Sequence, residues 1–540
     1  MDIRLPAWLR VDILLTVFTC AIVFCSLNRV DLAESTEPRE AGVAAGMLQS
    51  GQFLVPTLNG RPFLEKPPLS YWLQAASIDT FGYKPFAPRL PSALAGIATV
   101  LIFVFFLRKS PYQRWLVLIT GTLLITMASF FGYTRTAGQD TLLCFGISLA
   151  LLSFYFVRES PNRSLWVLFS IGIAIATMTK GIVGLAIPGC VIFTYLLYET
   201  LSVNKRFAIA DWIKPAGFAL LGLLPILLWL LLLFNAQGAD AVKEIVWANS
   251  VGRFSGDYSQ GAHAEPFYYY LKYIPSTYQP WTLLVYLALF FSFKKPDKYF
   301  GNRSMFFAIW IIASISLLSL SAGKRPSYLL MLYPAAAALA AHFIVARIAS
   351  YVEGGARLPS AALKWLAVFY AVALSALPLA ISLVLMKNGH RMLAAGTTVF
   401  AIPLILVIWR SAIGRSCFNL VTSCAGVIFI SYTAYYSWVA PEKLLSSSAR
   451  LVMENLANFE REGHPVVLFQ PTERMEGAAS YYLKHRVPAI VSEGALVEVL
   501  SAQPSTVILV SDPSTKGMRS LKDLLQVNYG NTRYHYLTRG

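Results

Sequence analysis

Two neighbouring residues of opposite charge, Glu65 and Lys66, are the first candidates for chemistry in this sequence. They precede Pro67 and Pro68, which restrict the backbone, and an aromatic segment suited to a membrane surface. Helix capping and the helix dipole do not explain why an acidic and a basic side chain are held together in this way. We therefore interpret the pair as functional.

His263 is the second candidate for chemistry. Its segment, 235–278, is predicted below to face the same compartment as Glu65. A carboxylate and an imidazole are suitable ligands for a divalent metal ion. A single histidine in a loop is more often simply solvated, so both interpretations stay open.

Basic side chains also recur at separated positions that we predict to lie on the same side, namely Arg135, Lys324 and Arg325. Asp140 follows the first of them, and Tyr328 follows the other two. Several cations on one side suit an anionic, phosphate-bearing ligand. For any one of them, the alternative is a side chain that extends towards lipid headgroups.

The acidic residues near position 37 have a simpler explanation. Ser35 or Thr36 can cap a helix, Pro38 suits its first turn, and Glu37 and Glu40 complement the helix dipole. The start of a helix alone accounts for these residue types.

The elements that must position all these residues are apolar. Of the 540 residues, 56% are hydrophobic and 14% are charged, a composition typical of a membrane protein. Each long apolar run can cross the roughly 30 Å of hydrocarbon in a bilayer. We predict thirteen membrane-spanning helices, with cores near 11–29, 90–107, 113–132, 141–157, 164–179, 182–198, 216–234, 279–293, 304–320, 327–346, 365–386, 392–409 and 417–439.

Basic residues are distributed unequally between the loops. With a cytoplasmic N-terminus, the inside loops carry seventeen lysines and arginines and the short outside loops carry six, so the positive-inside rule selects this orientation. The loops 31–89 and 235–278 and the C-terminal tail then face outward, which is the periplasm for a bacterial inner membrane. No small-residue cleavage site follows the first apolar run, which we expect to stay as an anchor.

The chain divides into a membrane part, 1–440, and a tail, 441–540. Short apolar runs at 465–469, 488–491 and 506–510 indicate buried strands separated by helical stretches. We predict a small α/β domain that caps the membrane part or docks on it, because its sequence has no phosphate loop, metal cluster or nucleophile motif.

The distribution of charge and the positions of the cysteines argue against nucleic-acid binding and against structural disulfides. The net charge of +17 does not indicate nucleic-acid binding, because the cations are spread over short loops between apolar runs. All six cysteines lie within apolar runs, where they act as small hydrophobic residues, and we predict no structural disulfide.

Several motifs, taken in order, resemble those of a known family. They are Glu37-Pro-Arg39, the stretch 47–60, Phe63-Leu-Glu-Lys66-Pro-Pro68, Arg135-Thr-Ala-Gly-Gln-Asp140, Arg253-Phe254 with His263-Ala-Glu-Pro-Phe-Tyr-Tyr-Tyr270, and Lys324-Arg-Pro-Ser-Tyr328. Together they resemble the lipid A aminoarabinose transferase family and, more broadly, the protein O-mannosyltransferase superfamily. The resemblance covers nearly all of the membrane part and extends to the tail.

The resemblance implies a GT-C fold and an inverting glycosyltransferase that takes its sugar from a polyprenyl-phosphate donor. It also implies three groups of site residues. The residues expected to bind the donor phosphate are Arg39, Lys66, Arg253, Lys324, Arg325 and Tyr328. The expected metal ligands, with zinc as the ion, are Glu65 and His263. The expected catalytic residues are Glu37, Lys66 and Asp140.

One position departs from the family's pattern. The first-loop motif usually begins Asp-Glu, and here Thr36 occupies the aspartate position. Either Glu37 takes over the first acidic role, or the acceptor needs no general base, as an already ionised phosphate does not. We therefore expect transfer to lipid A phosphate first, and to a protein or another envelope glycan as the alternative.

Two other functional classes stay open, a transporter and a non-catalytic scaffold. A transporter of lipid-linked sugars would also span the membrane and need cations for phosphate, but this sequence has no internal repeat and its polar residues cluster at the outer face. A non-catalytic scaffold of the envelope would require no particular spacing of acids and cations.

Overall fold

The computed structural model describes residues 10–33, 36–107, 112–252, 255, 265–294, 301–354, 360–414, 417–445, 448–511, 518 and 521–539. Most of these residues are helical, and a small sheet lies near the C-terminus.

The membrane part is built from helices and one short hairpin. Its elements are α1 Val11–Phe24, α2 Glu37–Ser50, β1 Thr57–Leu58, β2 Arg61–Pro62, α3 Leu69–Phe81, α4 Leu90–Leu107, α5 Gln113–Thr126, α6 Ala128–Thr134, α7 Asp140–Glu159, α8 Arg163–Lys180, α9 Val183–Tyr198, α10 Ala210–Gln237, α11 Ala239–Lys243, α12 Tyr269–Thr277, α13 Thr282–Lys294, α14 Gly301–Leu320, α15 Tyr333–Gly354, α16 Ser360–Lys387, α17 Arg391–Gly414, α18 Cys417–Ala434 and α19 Ala440–Leu445. Wider π-helical turns occupy Glu199–Val203, Glu244–Gly252 and Tyr435–Val439, and a 3₁₀ helix occupies Pro326–Leu332.

Each of the thirteen predicted apolar cores overlaps at least one of these helices. Within the described part of the chain, eight helices are long and apolar enough to cross a membrane. The number is nine if α5 and α6, which meet at an angle of 74°, count as one broken span. Three further apolar helices are shorter: Val11–Phe24, Leu90–Phe106 and Thr282–Lys294. The prediction of a polytopic helical protein is confirmed.

We call the segment 31–89 and the C-terminal domain together the outer layer. Helix α2 is the element on which the rest of this layer is assembled. Thr36 precedes it and Pro38 lies in its first turn, as predicted. Every residue from Glu37 to Met47 is buried, because α2 packs between α3 and the C-terminal domain. Small residues such as Ala41 and Ala44 let the neighbouring helices approach.

The C-terminal domain is a mixed sheet with helices on its faces. Its elements are α20 Arg450–Arg461, β3 Val466–Phe469, α21 Glu473–Leu483, β4 Ala489–Ile490, α22 Glu493–Ala502, β5 Val507–Ser511, β6 Lys522–Tyr529 and β7 Thr532–Thr538. The strand order is β4-β3-β5-β7-β6; β3 pairs in parallel with β4 and β5, whereas β7 is antiparallel to β5 and β6. The three predicted strands are confirmed.

The hairpin of β6 and β7 escaped the sequence analysis. Most side chains of β6 are exposed, so this strand lacks the apolar run by which the other strands were found. Its signal is the tight turn at Gly530-Asn531, where Gly530 adopts a positive φ of 60°.

The C-terminal domain docks on α2 through an unusually close contact between two helices. A Cβ atom at Gly42 would lie 2.3 Å from the Cα of Gly477, and one at Gly477 would lie 2.4 Å from the carbonyl oxygen of Pro38. Glycine at both positions therefore lets the backbones of α2 and α21 touch. Beside this contact, the Asn59 side chain forms two hydrogen bonds with the backbone of Val487, at 2.8 and 3.1 Å.

Candidate active site

A cavity of about 890 Å³ extends from the outer layer into the helical bundle. Part of its wall is apolar and comes from α9, α10, α14 and the residues next to them, including Ile182, Val183, Leu223, Ile226, Trp229 and Leu318. Another part is charged and consists of Arg39, Glu40, Glu65, Lys66, Asp140, Lys180, Lys324, Arg325 and Glu473. The cavity can therefore hold a ligand that is part hydrocarbon and part ionic.

A second cavity, of about 820 Å³, lies next to the first and is more polar. The side chains that line both cavities are Thr36, Arg39, Asp140, Lys324, Arg325 and Ser327. Two molecules bound in the two cavities would meet at these shared residues.

Glu37 lines only the second cavity, and its carboxylate is committed to Arg89. Nε and Nη2 of Arg89 each donate to one carboxylate oxygen of Glu37, both at 2.7 Å, and the backbone N–H of Ala137 donates at 2.8 Å. Arg89 also donates to the carbonyl oxygens of Leu27, Val30 and Asp31. This buried ion pair joins the end of α1, the start of α2 and the start of α4.

Glu40 binds two of the predicted phosphate-binding residues. Its Oε1 accepts hydrogen bonds from Arg39 at 2.9 Å and from Lys66 at 3.0 Å, and its Oε2 accepts one from Gln139 at 3.0 Å. Burial opposes ionisation of Glu40, but the positive charges of Lys66 and Arg39 outweigh it and hold the pKa of Glu40 below its ordinary value. From its position in the sequence, Glu40 was predicted only to complement the helix dipole.

Arg39 is surrounded by carboxylates. Besides Glu40, its guanidinium contacts Glu65 at 3.5 Å and Glu473 at 3.0 Å. Glu473 belongs to the C-terminal domain, for which the sequence predicted only a capping or docking role.

A second ion pair joins α7 to α8. Lys180 Nζ donates to Asp140 at 2.5 Å and lies 4.3 Å from the centre of the Tyr328 ring. Both Asp140 and Tyr328 were predicted site residues, whereas Lys180 was not. Asp140 is also within electrostatic range of Lys66, so the two ion-paired groups are neighbours.

Lys324 differs from the other cations because it is buried and its hydrogen-bond acceptors are uncharged backbone carbonyl groups. Its side chain is 3% exposed, and its ammonium donates to the backbone carbonyls of Glu265, at 2.7 Å, and Ser321. Among the described residues, no carboxylate lies within ion-pair distance of Lys324 or of Arg325, which follows it. Burial lowers the pKa of Lys324, against the opposing effect of the Glu265 charge.

A short hairpin delivers Glu65 and Lys66 to the cavity. Strands β1 and β2 pair around Asn59-Gly60, both with positive φ, which is the turn that this dipeptide favours. The chain then passes Leu64, whose carbonyl oxygen accepts a hydrogen bond from Asn249 at 3.1 Å. The pair is thus fixed between the hairpin and α3, as the neighbouring prolines predicted.

The predicted metal site is only partly within the described residues. Glu65 lines the first cavity, but His263, like the predicted phosphate ligand Arg253, lies outside the part of the chain that the structure describes. Among the described residues, no group of three or more histidine, cysteine, aspartate or glutamate side chains could hold a metal ion. These residues alone therefore do not form a zinc site, and zinc at Glu65 and His263 stays a prediction.

Of the predicted site residues, the structure brings seven together on the first cavity and puts Glu37 on the second. The seven are Arg39, Glu65, Lys66, Asp140, Lys324, Arg325 and Tyr328. The sequence analysis missed Glu40, Lys180 and Glu473.

The sequence is similar to known transferases. Residues 65–229 match the family model described as dolichyl-phosphate-mannose-protein mannosyltransferase. Over 323 residues, the chain is 27% identical to the undecaprenyl phosphate-alpha-4-amino-4-deoxy-L-arabinose arabinosyl transferase 2 of Proteus mirabilis, covering 59% of this chain and 56% of that protein. Over 333 residues, it is 26% identical to the corresponding transferase of Aeromonas salmonicida, covering 61% and 59%. The chain thus matches a little over half the length of these relatives.

The fold is similar to a solved structure over nearly its whole length. The crystal structure of ArnT from Cupriavidus metallidurans bound to undecaprenyl phosphate superposes with a TM-score of 0.73 and 18% identity, and covers 98% of both chains. The chain is similar in sequence and in fold to members of the aminoarabinose transferase family. It shares the GT-C fold of that family, as the sequence motifs implied, including the small sheet at the C-terminus.

We expect the Glu37–Arg89 ion pair to act on stability. Glu37→Gln and Arg89→Met should each lower the free energy of unfolding by about 3–5 kcal/mol, because each leaves a buried charge without its partner. The double variant should lose at least about 1 kcal/mol less than the sum of the single losses. Thermal unfolding of the purified protein in detergent measures all three. A Glu37→Gln protein with unchanged stability and a greatly reduced turnover would contradict this assignment and support a chemical role for Glu37.

Proposed function

We propose that this protein transfers an aminoarabinose-type sugar from a polyprenyl-phosphate carrier to a phosphate group of lipid A, with inversion at the anomeric carbon. The observation that carries the proposal is the position of Lys324. Its buried ammonium has only carbonyl partners among the described residues and lies where an apolar cavity meets a polar one.

The donor would occupy the first cavity. Its polyprenyl chain would lie against the apolar side chains of α9, α10 and α14, and its phosphate beside Lys324 and Arg325. An ammonium buried without a counter-ion is unfavourable, and an anionic ligand removes that cost. Lys66, which shares Glu40 with Arg39, would complete the phosphate site.

The transfer exchanges one bond for another at the anomeric carbon. An acceptor oxygen forms a bond to this carbon while the bond from the carbon to the phosphate oxygen breaks. The electron pair of the broken bond stays on the phosphate oxygen, so undecaprenyl phosphate is the leaving group. Cations around that phosphate stabilise the charge that develops there, and Asp140 can stabilise positive charge at the anomeric carbon.

The acceptor would enter through the second cavity, which is lined by Arg135 and Tyr133 and shares Asp140 with the first. Thr36 occupies the position where the family usually has an aspartate, and it lines both cavities. The carboxylate of Glu37 is bound by Arg89. Neither is placed to take a proton. A phosphate acceptor needs no such base because it is already ionised near neutral pH.

Transfer to a hydroxyl group is the second candidate, since residues 65–229 match the mannosyltransferase model. In that reaction Asp140 would have to accept the proton of the hydroxyl, although it is paired with Lys180.

An assay with purified protein tests the proposal. With the undecaprenyl-phosphate aminoarabinose donor and lipid A, mass spectrometry should detect lipid A that carries one added sugar on phosphate. Lys66→Ala should reduce the rate by roughly 10²-fold or more, because one cation at the leaving group is lost. Lys84→Ala is the matched control, since this exposed lysine belongs to the same outer layer but lines neither cavity.

The loss of transfer rate in Asp140→Asn depends on whether the acceptor group is a phosphate or a hydroxyl. With a hydroxyl acceptor the loss should be about 10²- to 10⁴-fold, as for removal of a general base. A product carrying the sugar on a hydroxyl would refute the phosphate acceptor, and full activity of Lys66→Ala would refute the catalytic site.

We also infer that the C-terminus and both cavities face the periplasm, because the loops on the other side carry most of the lysines and arginines. A reporter that functions only outside the cytoplasm should be active when fused after Gly540 and inactive when fused between Lys294 and Arg303. The opposite pattern would reverse the orientation.

A further inference from the structure

We propose that Glu473 selects donors with a charged amino group, so that the C-terminal domain supplies a specificity residue to the active site. This inference rests on the proposed function, because it concerns the sugar of the same donor. It assigns the domain a part in substrate binding beyond capping the membrane part.

The contact between α2 and α21 fixes Glu473 at the cavity. Glu473 is the first residue of α21, after Thr472, whose side chain caps the helix. Four residues further on, Gly477 touches the backbone of α2, and Arg61 pairs with the buried Glu476. Because these contacts hold the first turn of α21 against α2, Glu473 reaches Arg39 at 3.0 Å and lines the first cavity.

Charge is distributed unevenly over that cavity. In the group around Arg39, the carboxylates of Glu40, Glu65 and Glu473 outnumber the cations Arg39 and Lys66. Lys66 is also within electrostatic range of Asp140 in the neighbouring group, where the donor phosphate would lie. In the neighbouring group, which surrounds Asp140, the lining cations Lys180, Lys324 and Arg325 outnumber the single carboxylate. A donor with a negative phosphate and a positive amino group matches both groups, since each end meets the opposite charge.

Glu473 is the carboxylate best able to receive the amino group. Its side chain is 53% exposed, against 2% for Glu40 and 17% for Glu65. Only its Oε2 binds Arg39, and within the described part of the chain no donor binds its Oε1. Its negative charge can therefore reach a ligand without leaving Arg39.

Gln139 adds a second acceptor to the same group. It lines the first cavity and is buried, and its side-chain amide nitrogen is bound to Glu40. Its Oε1 is buried without a hydrogen-bond partner among the described residues. A buried acceptor of this kind is costly unless a ligand donates to it, and ammonium and hydroxyl groups of a sugar can do so.

Binding measured in the absence of acceptor tests the role of Glu473 separately from catalysis. Three lipids serve as probes: the undecaprenyl-phosphate aminoarabinose donor, its N-acetyl derivative with a neutral nitrogen, and undecaprenyl phosphate alone. The wild-type protein should bind the amine lipid more tightly than the N-acetyl lipid. Glu473→Gln should reduce this ratio of dissociation constants by roughly 1.5- to 5-fold, the range for one exposed ion pair.

Two further variants serve as controls for Glu473→Gln. Glu473→Asp should restore part of the ratio, because it keeps the charge. Glu454→Gln should keep the full ratio, because this exposed carboxylate of the same domain pairs with Arg450 and does not line the cavity.

Three outcomes would overturn the proposal. They are a wild-type protein that does not discriminate, an unchanged ratio in Glu473→Gln, and equally tighter binding of all three lipids by that variant. The last result would mean that Glu473 only competes with phosphate for Arg39. A normal ratio without sugar transfer to any acceptor would instead refute the proposed function and leave the role of Glu473 intact.

Discussion

The buried ion pair of Glu37 and Arg89 is the interaction on which the outer layer of this protein depends. Arg89 donates hydrogen bonds to three carbonyl groups in the loop that follows α1, and it holds the first residue of α2. Helix α2 then presents Arg39 and Glu40 to the first cavity and offers Gly42 to the C-terminal domain. If this pair were lost, Arg39, Glu40 and the surface of α2 that contacts the C-terminal domain would lose the same support.

Electrostatics divides the cations of the cavity into two kinds. Arg39 is already balanced by Glu40, Glu65 and Glu473, so a ligand phosphate gains little from Arg39 unless a carboxylate moves away. Lys324 and Arg325 have no carboxylate partner among the described residues, and a phosphate placed there brings the missing charge. This difference, rather than the number of cations, decides where an anion should bind.

The features that the sequence predicted are those with a local physical signal. Long apolar runs predicted where the helices lie, and the strands β3, β4 and β5 are short apolar segments bounded by proline, serine or glutamine. Strand β6 is mostly exposed and has no such run, so the hairpin that it forms with β7 had no comparable signal. Glu473 was missed because its partner Arg39 is more than 400 residues away, and no periodicity connects residues so distant. Glu40 was missed because the helix dipole is by itself a sufficient reason for a carboxylate in the first turn of α2.

A structure of the protein with undecaprenyl phosphate bound is the most direct test of this electrostatic account. We expect phosphate oxygens at about 3 Å from Lys324 Nζ and from the Arg325 guanidinium, with Arg39 still bound to Glu40 and Glu473. A phosphate bound to Arg39 in place of Glu473, with Lys324 still bound only to the carbonyl oxygens of Glu265 and Ser321, would contradict it.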